Sequence, residues 1–143
     1  MDHLETRPAL RELVELYASY ADRRRDADIA GLFTADGALV IQWADRPPTT
    51  VRGRDDIAAT MKSLDRYRVT QHVVANQLLD LAADPIRGET YCTASHVYDT
   101  DTGPRIFVMR IRYQDTFVQD DAEWRFQERL LTVDWTEDRP LNG

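Results

Sequence analysis

The second half of this chain is a succession of long β-type runs joined by very short connections. The runs fall at about Thr70–Ala82, Ile86–Thr100, Pro104–Gln119 and Glu123–Thr136, with Asp84-Pro85, Thr102-Gly103 and Asp120-Asp121 between them. Connections this short admit antiparallel hairpins and leave no room for a helical crossover, which takes roughly a dozen residues. A four-stranded meander is therefore expected, and one of its faces must be covered.

The first half supplies the cover. Leu10, Leu13, Val14, Leu16, Tyr17, Tyr20 and Ala21 recur at the spacing of an amphipathic helix over Pro8–Ala21, with Thr6 as its N-cap and Pro8 in its first turn. Arg23-Arg24-Arg25 breaks the pattern and reads as a solvated turn. A short helix near Asp26–Phe33, a turn at Ala35-Asp36-Gly37 and a strand at Ala38–Trp43 follow. Asp45–Thr50 carries Pro47 and Pro48 and reads as loop. Val51–Arg54 is a short extended piece, and Asp55–Leu64 reads as a third helix. Helices gathered ahead of antiparallel strands indicate an α+β fold, a cone of strongly curved, mostly antiparallel sheet over N-terminal helices. The expectation is one domain over residues 1–143, with short polar tails at about 1–6 and 138–143.

Composition excludes several classes of function. With 143 residues and 43% hydrophobic content the chain is long enough for a real core. A net charge of −7 opposes nucleic-acid binding. No apolar run approaches the roughly 20 residues of a membrane span, and the polar N-terminus has no signal-peptide core, so a cytoplasmic location is expected. Cys92 is the only cysteine, which rules out an internal disulfide and reads as a small core residue. Lys62 is the only lysine and falls on a surface helix, which removes Schiff-base chemistry.

Alternation assigns faces to the strands. His72, Val74, Asn76 and Leu78 share one. Thr90, Cys92, Ala94, His96 and Tyr98 share another, as do Phe107, Met109, Ile111, Tyr113 and Phe117, opposite Arg110, Arg112 and Gln114. In the last run, Trp124, Phe126, Glu128 and Leu130 contrast with Leu131, Val133 and Trp135, so a β-bulge near Glu128–Leu130 is expected to switch the face. Of the three histidines, His3 lies in the polar N-terminal segment, whereas His72 and His96 lie in strands. The first helix ends in Asp22. An imidazole titrates near neutral pH, and a carboxylate beside it fixes its tautomer and favours its charged form. An Asp22–His72 dyad in an apolar hollow is the chemistry these residues suggest.

Tyr20-Ala21-Asp22 with Asp26, the Val51–Ile57 turn into a helix, Thr70-Gln71-His72-Val73-Val74-Ala75-Asn76, and Glu123-Trp124-Arg125-Phe126 with Asp134-Trp135 together carry a resemblance. The chain resembles the SnoaL-like group of the NTF2-like superfamily over about Leu10–Trp135, and in motif pattern it is similar to scytalone dehydratase-like members. The resemblance implies His72 as general base, Asp22 as its orienting carboxylate and His96 as a second catalytic histidine. It puts Trp43, Tyr20 and Tyr113 at substrate-binding positions, with Asn76 as a polar pocket residue. Phe33, Met61, Phe107 and Met109 would form apolar walls. No cofactor is needed for such acid–base work. Two histidines and a carboxylate also match a non-haem iron ligand set, but members of this group are metal-free, so no metal is expected.

The function expected is a cofactor-independent lyase or isomerase, removing a proton next to a carbonyl or dehydrating a small, apolar cyclic substrate of polyketide, aromatic or steroid-like type. The alternatives are a non-catalytic small-molecule-binding or dimerisation module, and a polyketide cyclase. A homodimer or homotrimer is expected, with Arg110, Arg112, Gln114 and Arg129 facing outward toward acidic groups of a partner.

Overall fold

The structure, a computed structural model, describes residues 3–142. Helix α1 (His3–Asp22) turns Leu10, Leu13, Val14, Tyr17, Ala18 and Ala21 onto the core, as their spacing requires. It begins about a turn earlier than that periodicity implies. Thr6 is buried within the helix rather than capping it, and Pro8 is internal. An added turn that is mostly exposed leaves no apolar period to read. The polar tails are correspondingly shorter than expected, since residues 3–6 are helical and the last strand runs to Pro140. Residues 1, 2 and 143 of those tails lie outside the described residues.

The remaining elements are α2 (Asp26–Gly31), β1 (Phe33–Gln42), β2 (Thr49–Arg52), α3 (Arg54–Met61) with a 3₁₀ turn (Lys62–Arg66), β3 (Val69–Asp80), β4 (Ile86–Thr100), β5 (Gly103–Asp120) and β6 (Glu123–Pro140). They make a six-stranded sheet in the order β2-β1-β6-β5-β4-β3. The meander β3–β6 is antiparallel throughout, as its short connections demand. Strand β1 joins it in parallel along β6, which makes the sheet mixed. Ala35-Asp36-Gly37 is no free turn. It is an irregularity inside β1, where pairing jumps from Phe33–Phe126 to Ala38–Glu128. The Thr34 hydroxyl donates to Asp36 Oδ1 at 3.1 Å across it.

Bulges reset the faces of two strands. In β3 the pairing skips from Val74–Cys92 to Gln77–Thr90, one residue more on β3 than on β4. Asn76 and Leu78 therefore do not share the inward face of His72 and Val74; both are exposed, and Gln77 and Leu79 turn inward instead. Arg11 of α1 donates from Nη1 to the Ala75 carbonyl of this bulge at 2.7 Å. In β6 an extra residue occurs twice, at Gln127 and at Asp134. The first lies beside the expected face switch and brings Arg129 inward.

Arg129 is thus a correction to the outward array. It is fully buried, as is Asp115, and its Nε donates to Asp115 Oδ1 at 2.9 Å. Its guanidinium carbon lies 3.6 Å from the ring centroid of Tyr113, 4.3 Å from Tyr17 and 4.6 Å from Phe126. Cation–π attraction of this kind strengthens when the partners are desolvated. Burial pushes the Asp115 carboxyl up to about 6, against the pull of Arg129. The other three outward residues find partners within the chain: Arg112 on Asp134 at 2.9 Å, Arg110 on Glu137 at 3.3 Å and Gln114 on Glu89 at 3.0 Å.

Removing one member of a buried ion pair strands the other charge, at a cost of roughly 3–5 kcal/mol. Arg129→Met is expected to lose about that much stability in urea unfolding. The double variant Asp115→Leu with Arg129→Met is expected to recover most of it, because neither charge is then left behind.

Candidate active site

Asp22 is the last residue of α1, and the way the helix stops places its carboxylate. Arg24 adopts the left-handed conformation at φ 59°, with Arg24 N–H on the Ala21 carbonyl at 3.2 Å and Arg25 N–H on the Tyr20 carbonyl at 2.9 Å. This is a Schellman ending, in which the left-handed position is ordinarily glycine. A non-glycine residue there costs about 1–2 kcal/mol. The Arg24 side chain supplies compensating contacts: Nη1 donates to the Ala21 carbonyl and to Thr70 Oγ1, both at 2.8 Å, and Nη2 to the Tyr67 carbonyl at 3.3 Å. A residue read from sequence as part of a solvated turn thus ties the end of α1 to the start of β3. The spacing of the arginines carries no signal of it.

Three donors converge on Asp22. The Thr70 hydroxyl donates to Oδ1 at 3.0 Å, the His72 backbone N–H to Oδ2 at 3.0 Å, and His72 Nδ1 to Oδ1 at 2.8 Å. Burial raises the Asp22 pKa, but the hydrogen bonds from the His72 ring, the His72 backbone and Thr70 together outweigh it and hold the carboxyl below its ordinary value. With Nδ1–H committed to the carboxylate, the lone pair of His72 sits on Nε2. The His72 side chain is 7% exposed and that of Asp22 26%.

His96 lies on the next strand, its ring 5.8 Å from that of His72 at 80°. Its Nδ1 donates to the Phe107 carbonyl at 3.0 Å, which leaves Nε2 as an acceptor. The residue is only 2% exposed. Burial drives its pKa down to about 4, helped by the charges of His72, Arg66 and Arg24 and opposed by the bond to Phe107. It is a neutral imidazole at working pH.

Two hollows approach this pair, and no lining residue is common to both. A groove of about 440 Å³ between α1 and β3 is lined by Asp22, His72, Ser19, Arg23 and Val74 among others. A hollow of about 600 Å³ is lined by Trp43, Arg46, Arg66, Tyr67, Tyr98, Asp99, Phe107 and Asp138. Tyr67 and Phe107 separate it from His96, with ring centroids 4.7 and 5.6 Å from the imidazole.

The SnoaL-like domain profile matches residues 2–130. The chain belongs to this family. Its fold is shared by a protein from Novosphingobium aromaticivorans provisionally assigned as a scytalone dehydratase, at 23% identity and TM-score 0.78 over 98% of this chain and 95% of that one. A hexachlorocyclohexane dehydrochlorinase matches at 16% identity and TM-score 0.80, over 96% of this chain and 91% of that one. ActVI-ORFA from Streptomyces coelicolor matches at 21% and 0.75, over 91% and 98%. At these identities the likeness is one of fold. No curated protein matches in sequence.

Within this SnoaL-like chain, the residues singled out from sequence fall into separate groups. Asp22, His72 and His96 come together. Trp43 and Phe107 line the larger hollow. Met109 pairs with Ala94 beside His72 in the sheet register. Phe33 and Met61 are core residues, Met61 accepting a long bond from the Tyr17 hydroxyl at 3.9 Å. Tyr113 is packed on Arg129, and Tyr20 lies under Arg25 at 4.8 Å. Asn76 is exposed at the β3 bulge. Tyr67 was not anticipated, since a lone tyrosine after a helix carries no distinguishing pattern.

The depressed pKa of Asp22 fixes a sign. A carboxyl whose folded value lies below its unfolded value stabilises the fold above the unfolded value, and that contribution disappears as pH falls through the folded one. The stability gap between wild type and Asp22→Asn is therefore expected to be full near pH 6 and to shrink below the ordinary carboxyl value of 3.8. Urea midpoints measured across pH 2–7 check it.

Proposed function

We propose that the protein is a cofactor-independent lyase or isomerase that moves a proton on a small cyclic substrate, with His72 as its base. The observation that carries this reading is the Nδ1 contact of 2.8 Å between His72 and Asp22. It commits one ring nitrogen to a carboxylate and leaves Nε2 free to take a proton. Asp22 steadies the imidazolium that results, the role a carboxylate has in a Ser-His-Asp triad. General-base catalysis of this kind contributes roughly 10²–10⁴-fold.

On a β-hydroxy-ketone, His72 Nε2 removes the α-proton and electron density passes to the carbonyl oxygen. The enolate expels the β-hydroxyl, and the imidazolium returns its proton to the leaving oxygen, giving an enone and water. On a β,γ-unsaturated ketone, the same base forms a dienolate, and return of the proton to the γ-carbon gives the conjugated isomer. His96, neutral and with Nε2 as acceptor, suits a substrate hydroxyl that must be oriented; with its pKa lowered to about 4 it holds no proton on Nε2 to donate near neutral pH. Tyr98 is an unsuitable donor to substrate, because its hydroxyl already donates to Asp138 at 2.8 Å. Two of the structural neighbours carry names that denote eliminations, a dehydratase and a dehydrochlorinase, which agrees with this chemistry.

The non-catalytic binding reading draws on a different observation. The larger hollow touches Tyr67 and Phe107 but not His72, so a ligand held there need not meet the base.

Exchange of the α-protons of 2-tetralone with deuterated solvent, followed by proton NMR, separates the two. Wild type is expected to accelerate exchange, and His72→Ala and Asp22→Asn to lower that rate by roughly 10²–10⁴ while keeping native circular dichroism. Unchanged exchange in His72→Ala would remove it from the mechanism.

A further inference from the structure

The larger hollow has a composition unlike the rest of the molecule. The chain carries a net charge of −7, yet two arginines, Arg46 and Arg66, stand at this hollow among four aromatic side chains. Its acidic residues are already matched: Asp138 accepts from Arg105 Nε at 2.9 Å and from the Tyr98 hydroxyl, and Asp99 pairs with Arg68 at 3.3 Å. Arg46 pairs with its exposed neighbour Asp45 at 3.0 Å and lies 5.0 Å from the Trp43 ring centroid. Arg66 makes no ion pair among the described residues. It lies 4.9 Å from the Tyr67 ring centroid and donates to the Tyr67 hydroxyl at 2.9 Å. The unmatched cation of the rim is therefore held against the ring that also covers His96.

We propose that the hollow lined by Trp43, Tyr67, Tyr98 and Phe107 binds a flat aromatic acid, its ring among these side chains and its carboxylate on Arg66. Its volume of about 600 Å³ falls within the range of small-molecule sites. A guanidinium is planar, and Arg66, held against the Tyr67 ring through one Nη2 bond, has further N–H groups in that plane to receive a carboxylate through two parallel hydrogen bonds. Tyr67 and Phe107 line this hollow and also pack on the His96 ring, so a ligand anchored on Arg66 lies against the wall that covers the acid–base pair. As a statement about substrate the inference rests on the acid–base reading; the binding itself does not.

Isothermal titration with 2-naphthoate, its neutral isostere 2-naphthamide and cyclohexanecarboxylate tests it. Wild type is expected to bind naphthoate at least tenfold more tightly than either comparison compound. Arg66→Gln is expected to bring naphthoate to within about threefold of naphthamide while leaving naphthamide affinity unchanged, which also shows that the variant is folded. Trp43→Ala is expected to weaken both naphthyl ligands. Equal affinity for naphthoate and naphthamide in wild type, or a preference that survives in Arg66→Gln, overturns the proposal. His72→Ala is expected to keep the preference. A preference that persists in His72→Ala, together with unimpaired α-proton exchange, would sink the dyad and leave the anion site standing.

Discussion

Asp22 is where the helical layer and the sheet become one object. Its two oxygens take up a backbone N–H and a ring N–H of His72 and the hydroxyl of Thr70, so the end of α1 cannot shift along β3 without breaking several bonds at once. The same contacts decide the tautomer of the imidazole. The residue that aligns these two elements is also the one that, in the proposed mechanism, prepares the base. Under that proposal loss of alignment and loss of chemistry are coupled, and a conservative change of charge separates them better than a deletion.

The interior contains a second charged anchor of a different kind. Arg129 and Asp115 pair with each other inside the apolar core, with the rings of Tyr17, Tyr113 and Phe126 around the guanidinium. Guanidinium Nη1 has no hydrogen-bond partner among the described residues, so its compensation comes from the surrounding rings. Such a pair adds little net stability over an apolar substitute but penalises every register of β6 in which Arg129 faces elsewhere without its carboxylate. Placed two residues beyond the Gln127 bulge, it specifies which way the rest of that strand must face.

Much of the architecture was legible because it follows from connection length and period. Short links between β3, β4, β5 and β6 left antiparallel pairing as the outcome, and the α1 spacing identified its buried side. The contact between Asp22 and His72 was legible through the pairing of a helix-end aspartate with a strand histidine in a familiar motif. What escaped reading was whatever depended on phase. Alternation is a two-residue rule, and a single inserted residue inverts it. The β3 bulge therefore moved Asn76 and Leu78 to the outside, and the β6 bulge moved Arg129 to the inside. Arg24 escaped for another reason: its role comes from a backbone conformation that its side-chain type does not advertise.

That conformation carries a consequence for anyone stabilising this scaffold. By local criteria the best residue at position 24 is glycine, which enters the left-handed region without penalty. A design procedure guided by backbone preference alone would choose it, and the helix terminus would benefit. The cost would appear some distance away, as the Tyr67 segment lost its strap and the wall over His96 loosened. Local backbone preference and pocket order are thus opposed at one position, and the arginine found there favours order.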